Sequence, residues 1–235
     1  MGRDPSGDAR KTRRADAANF DPMLRPRALL FDMDGLMVDS EPLWFEVERD
    51  FARARGGDWT HEVAAECIGR GLANTLQAMR ARFDFDLDLP RDAAEIVEMF
   101  IGRVGDLQLQ PGCRDLLDHA RARVPIAVGS SSARRLVHAT LDRFAITPLF
   151  GAIVTGDDVR HPKPAPDIFL RAAGLLGVAP ADCVVLEDAI AGVEAARAAG
   201  MRVIAVPEAS RVGYDAADFV VADLVEARAL FAWDR

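Results

Sequence analysis

Cysteine is scarce in this 235-residue chain: Cys67, Cys113 and Cys183 are the only ones. An odd number with no C-x-x-C spacing excludes a disulfide framework and a thiolate zinc site, and fits a reducing compartment. Long apolar runs are missing too. No window of about eighteen uncharged apolar residues exists to span a membrane, and the N-terminus lacks the apolar segment of a secretory signal. Positive charge is in deficit, with 29 Lys and Arg against 37 Asp and Glu and a formal net charge of -8. Such a chain repels a phosphate backbone at long range, so nucleic acid is not an expected partner. The four histidines, His61, His119, His138 and His161, are scattered without ligand spacing, although His161 stands two residues before a lysine. Internal repeats and low-complexity tracts are absent. These absences leave a cytoplasmic enzyme or binding domain, a monomer or weak dimer, as the expectation.

What remains is the composition of a folded globular chain, 50% apolar and 28% charged. Its length gives a prior of one to two domains, enough for a core without staples. Met1 to Arg27 carries seven Lys or Arg, as a transit peptide would, but also Asp4, Asp8, Asp16 and Asp21, as a transit peptide would not. Residues 1–23 are therefore expected to be a disordered tail.

The first strand signal is Ala28-Leu29-Leu30-Phe31, an apolar run broken by Asp32-Met33-Asp34-Gly35. Further short apolar runs stand at residues 124–128, 152–154, 183–186, 203–206 and 219–221. Helical spacing separates most of them: Leu136, Val137, Thr140, Leu141 and Phe144 in one stretch, Ile190, Val193, Ala196 and Arg197 ahead of Gly200 in another. This alternation predicts an α/β fold, a doubly wound and mostly parallel Rossmann-like sheet covered on both faces. Between the first two strands it breaks. Residues 40–105 show helix signals and no strand, with one apolar stripe of Leu43, Trp44, Val47 and Phe51 behind a Ser40 N-cap and another of Ile96, Val97, Phe100 and Ile101. That segment reads as an inserted α-helical cap, with residues 24–39 and 106–235 forming the catalytic core.

Ligands of a doubly wound sheet sit at the carboxyl ends of its strands, so the polar residues that follow each apolar run are informative. Asp32 and Asp34 follow the first, Ser130, Ser131 and Ser132 the second, Lys163 the third, and Glu187 and Asp188 the fourth. Gathered carboxylates repel unless they share a cation, and oxygen-only ligands suit a hard ion such as Mg²⁺. The metal candidates are thus Asp32, Asp34, Asp188 and Glu187. Serines at a strand-to-helix turn and a lysine suit a phosphate dianion, which makes Gly35, Ser130, Ser131 and Lys163 the phosphate-binding candidates. An ionised Asp32 beside phosphorus can attack it, and Asp34 can protonate the leaving oxygen and then deprotonate a water. Singly, each motif has a plainer reading: Asp-x-Asp-Gly as a turn, Ser132 as a helix N-cap, Lys163 as a solvated surface residue, Glu187 and Asp188 as helix-capping charges, Trp44 as cap packing.

Together, Phe31-Asp32-Met33-Asp34-Gly35 with Asp39-Ser40, Val128-Gly129-Ser130-Ser131-Ser132, Lys163-Pro164-Ala165-Pro166-Asp167 and Leu186-Glu187-Asp188-Ala189-Ile190-Ala191-Gly192 resemble the haloacid dehalogenase superfamily. The similarity is to the helical-cap branch typified by β-phosphoglucomutase and phosphoglycolate phosphatase, and it covers about Leu24 to Arg235. The resemblance implies Asp32 as nucleophile and metal ligand, Asp34 as general acid/base and backbone-carbonyl ligand, and Ser130 and Lys163 on the phosphate. It also implies Asp188 as a further ligand of Mg²⁺, Glu187 assisting, and a cap that opens and closes over a small phosphorylated substrate.

Asp34 argues for phosphoryl transfer over dehalogenation, because the dehalogenases lack that second acid. Mutases of this type carry a histidine ten residues after the second aspartate, where this chain has Trp44, and a cap arginine near Gly69 to Leu72, where Arg70 is close. A phosphatase acting on a sugar-phosphate-like metabolite through an aspartyl-phosphate is expected ahead of a phosphosugar mutase. A phospho-acceptor signalling module is the alternative of another class, disfavoured by the insertion. Substrate selection falls to cap residues such as Trp44, Arg70, Asn74 and Gln77.

Overall fold

The computed structural model describes residues 24–65, 67, 71–207 and 210–233. The 1–23 segment expected to be a tail, and Arg70, lie outside them. Strand β1 (Ala28–Phe31) opens the core, β2 (Val38–Asp39) leads out of it, and four helices follow: α1 (Glu41–Arg53), α2 (His61–Ala65), α3 (Leu72–Phe83) and α4 (Leu89–Ile101). β3 (Gln108–Leu109) returns the chain to an alternating succession of α5 (Cys113–Arg121), β4 (Ile126–Gly129), α6 (Arg134–Arg143), β5 (Ala152–Val154), α7 (Asp167–Leu176), β6 (Cys183–Glu187), α8 (Ile190–Ala198) and β7 (Arg202–Ala205). β8 (Phe219–Val220) and α9 (Leu224–Arg228) complete it.

Six strands form one parallel sheet in the order β5-β4-β1-β6-β7-β8. This is the doubly wound α/β architecture that the alternation of runs predicts. β1 sits between β4 and β6, where the winding reverses, so its carboxyl end opens on the crevice in which such sheets bind ligands. The reason it occupies the middle is its uninterrupted apolar run: Leu29 and Phe31 enter the hydrophobic cluster on one face, Ala28 and Leu30 that on the other, and all four are buried. Gly200, φ +74°, sits just past the end of α8 in the left-handed conformation expected of it.

The helical segment is tied to the core by a short antiparallel ribbon in which Val38 pairs with Leu109 and Asp39 with Gln108. In α1, Leu43, Val47 and Phe51 are buried, and Trp44 lies against Phe100 of α4 with ring centroids 4.4 Å apart. Ser40 does hold the N-cap position of α1, but its hydroxyl makes no capping bond. α4 begins under Asp88, whose side chain accepts from the Arg91 N–H, and it packs on core helix α6, where Glu98 pairs with Arg135. No described helix is long and apolar enough to cross a membrane.

Candidate active site

Asp32, the first residue after β1, is 7% exposed, and its N–H bonds to the Leu186 carbonyl of β6. Its Oδ1 accepts from Lys163 Nζ at 2.5 Å, and the same ammonium donates to Glu187 Oε1 at 2.5 Å. The Lys163 side chain is only 8% exposed and passes over the Phe169 ring. In an open loop it would be a solvated cation; here the fold has buried it between two carboxylates. Glu187, a metal candidate on sequence, also accepts from the Ala189 N–H through its second oxygen at 2.9 Å, so each of its oxygens has one protein donor. It lies so close to Gly192 that a Cβ there would stand 1.7 Å from Oε1. The glycine of the fourth motif therefore makes room for this carboxylate.

Asp34 is half-buried. Its Oδ2 accepts from the Ser132 hydroxyl at 2.7 Å, and its Oδ1 lies 3.5 Å from the indole N–H of Trp44, which reaches down from the cap. Ser132 is thus not the helix N-cap its position suggests. Ala133 holds the N-cap of α6, and the Asp157 carboxylate accepts from the Arg134 N–H. Ser130 is buried, with Oγ accepting from the Ser132 N–H, whereas Ser131 is exposed. Gly35 adopts φ +79°, and a Cβ there would stand 2.2 Å from Asp188 Oδ2. Asp188 is therefore packed directly on the loop that carries Asp32 and Asp34. Two further groups fix this region: Gln110 Nε2 donates to the Gly35 carbonyl at 3.0 Å, and the Tyr214 hydroxyl donates to the Asp188 carbonyl.

Burial in a crowd of acids shapes the electrostatics. It pushes Asp32 up to about 7 against the pull of Lys163, with repulsion from Glu187 and Asp34 adding to the rise. Asp188 is lifted well above the usual carboxylate range by burial and then by Glu187 and Asp32. Asp34 is raised by burial, opposed by donation from Ser132 and by the neighbouring Ser40 and Trp44. Burial works against the Lys163 charge as well, but Asp32 and Glu187 together hold it above the ordinary lysine value.

Of the described cap candidates, Trp44 reaches the core acids through its indole. Asn74 and Gln77 are exposed on α3, and the two residues between them turn inward, Leu76 into the core and Thr75, 3% exposed, as the polar one. Thr75 lies beside Glu48, a half-buried acid of α1. Motif reading placed Ser132 on the rim without its bond to Asp34, and passed over Gln110, Tyr214, Glu48 and Thr75 altogether. Spacing contained a signal for one of them, since Glu48 follows Trp44 by four residues and shares its helix face. His161 pairs with Asp167 at 3.0 Å.

Among the described residues no three His, Cys, Asp or Glu side chains form a ready-made metal cluster. The donor set nevertheless fits a hard cation. Asp32 is buried and Asp188 half-buried, the charge of Asp32 raises Asp188, and the Lys163 ammonium pairs with Asp32 and Glu187, so Asp188 has no salt-bridge partner among the described residues.

Residues 29–206 match the family model of the haloacid dehalogenase-like hydrolases, and the chain belongs to that family. Fructose-1-phosphate phosphatase YqaB of Escherichia coli is 36% identical over 186 residues, 77% of this chain and 97% of that protein. The bifunctional riboflavin kinase/FMN phosphatase of Arabidopsis thaliana is 29% identical over 204 residues, 85% of this chain, which spans 54% of that longer protein. Among solved structures, CbbY from Rhodobacter sphaeroides in complex with phosphate superposes with a TM-score of 0.77 at 28% identity, covering 86% of this chain and 96% of CbbY.

Proposed function

We propose that the chain is a Mg²⁺-dependent phosphatase that hydrolyses a small, sugar-phosphate-like metabolite through an aspartyl-phosphate on Asp32. The observation that carries this reading is the buried Asp32 carboxylate fixed at 2.5 Å by Lys163, with a second acid, Asp34, two residues away and fixed by Ser132. The phosphatase names of YqaB and the Arabidopsis protein support it.

Lys163 occupies Oδ1 of Asp32 and leaves the other oxygen to attack phosphorus. As that O–P bond forms, the bond to the leaving alcohol breaks, and Asp34 delivers a proton to the departing oxygen. Asp34, now ionised, takes a proton from water, which attacks the aspartyl-phosphate and releases inorganic phosphate and the free Asp32 carboxylate. Lys163 and Ser130 hold the phosphoryl oxygens through both transfers, and Glu187 is a positioning residue for Lys163. Asp32, Asp188 and the Asp34 carbonyl would hold Mg²⁺, which would supply positive charge to offset the negative charge of the phosphate. Trp44, in the place where mutases carry their histidine, excludes water from one side of Asp34.

Asp32→Asn tests the assignment. It should abolish phosphate release from p-nitrophenyl phosphate with the far-ultraviolet circular dichroism unchanged, and full activity in that variant would remove Asp32 as nucleophile. Conversion of a sugar phosphate to its isomer without free phosphate would favour the mutase, and a single turnover that stops at phospho-Asp32 the signalling module.

A further inference from the structure

We infer that Glu48 and Thr75 form a hydroxyl-reading subsite in the cap, one that accepts the uncharged end of a phosphorylated polyol and rejects a second phosphate. This inference rests on the phosphatase reading above. Glu41, Trp44 and Glu48 follow one another at spacings of three and four along α1 and so share a face. Trp44 marks where that face points, because its indole reaches Asp34. Glu48 stands one turn further along, about 6 Å at 1.5 Å per residue, the separation between a reacting phosphate and the far hydroxyls of a sugar chain.

The side chain is held ready for a ligand. Trp59, 1% exposed, donates its indole N–H to Glu48 Oε2 at 3.1 Å, and the Thr75 hydroxyl adjoins the same carboxyl. A carboxylate offers about four acceptor positions, so its partners among the described residues leave capacity unspent. As a purely structural element the acid is a poor choice. Burial pushes it up to about 7, and nearby Glu41 opposes its ionisation as well, whereas a glutamine would satisfy Trp59 without that cost. Substrate hydroxyls donating to Glu48 would use that capacity, and Thr75 can either donate or accept. A phosphate placed there instead would meet two acids, Glu41 and Glu48.

The test compares kcat/KM of the intact protein and Glu48→Gln with Mg²⁺ on three esters: p-nitrophenyl phosphate, which has no hydroxyls, sorbitol 6-phosphate and fructose 1,6-bisphosphate. The variant should lower the ratio of sorbitol 6-phosphate to p-nitrophenyl phosphate about tenfold, chiefly through KM, as expected for a lost hydrogen bond to a charged group. It should also narrow the preference for the monophosphate over the bisphosphate. Thr75→Val should move the first ratio in the same direction. Loss shared equally by all three esters, or ratios unchanged within about twofold in Glu48→Gln, overturns the subsite while the phosphatase reading stands. A wild-type protein that releases phosphate from none of the three overturns that reading, and the subsite with it.

Discussion

Replacing Lys163 by methionine keeps the stem that packs on Phe169 and deletes the one ammonium shared by Asp32 and Glu187. The Lys163 side chain is 8% exposed, and those of Asp32 and Glu187 are 9% and 1%. Removing one partner of a buried ion pair leaves uncompensated charge and costs about 3–5 kcal/mol. At roughly 2–4 °C per kcal/mol for a chain of this size, that is a melting temperature lower by about 10 °C. The sign of the pH dependence follows from the acids left behind. Burial, with repulsion from Glu187 and Asp34, holds the folded pKa of Asp32 above its unfolded value, at about 7 even with the lysine present. Stability from such groups is fully present below the unfolded value, near 4, and is lost as pH rises through the folded one. Thermal melts followed by circular dichroism without divalent cations should therefore show a deficit that is largest at about pH 8 and less than half as large at about pH 5. Equal melting temperatures at the higher pH, or a deficit independent of pH, would refute the account of Lys163 as the counter-charge of this site.

Two other perturbations are equally direct. Because Asp32 holds its proton up to about 7, a divalent cation must displace it. Mg²⁺ affinity should then rise between about pH 5 and pH 8 with release of about one to two protons per ion near pH 6, since Asp188 is raised as well, read by titration calorimetry in two buffers of different ionisation enthalpy; a flat profile contradicts this. Gly35→Ala places a methyl 2.2 Å from Asp188 Oδ2 at a φ of +79°. Displacement of that loop should cut p-nitrophenyl phosphate turnover about 100-fold, and a variant retaining half the activity would show that Asp188 does not need the contact.

The sheet was legible because its strands are buried on both faces and so appear as unbroken apolar runs. Ala28–Phe31 and Ala152–Val154 stand where the runs place them, and the others shift by a residue or two. β2 and β3 left no trace in the sequence, since two-residue strands carry no periodicity and exist only through their pairing. The residues after each strand were legible for the same topological reason. What they do to one another was not. Nothing local says that the Ser132 hydroxyl bypasses its own helix to reach Asp34, or that each oxygen of Glu187 has a donor within the protein. In the cap, Asn74 and Gln77 attract attention as polar residues, yet the rotation of α3 turns Thr75 inward.

The joint between the two halves is narrow and has an internal linkage. Gln110, immediately beyond β3, bonds through its backbone to Met37 and through its amide to the carbonyl of Gly35, the neighbour of Asp34. Any movement of the helices about this ribbon would be passed to the peptide next to Asp34. Cap position and the shape of the Asp32–Gly35 loop would then vary as a single mechanical coordinate, adjustable from the ribbon by residues remote from Asp32.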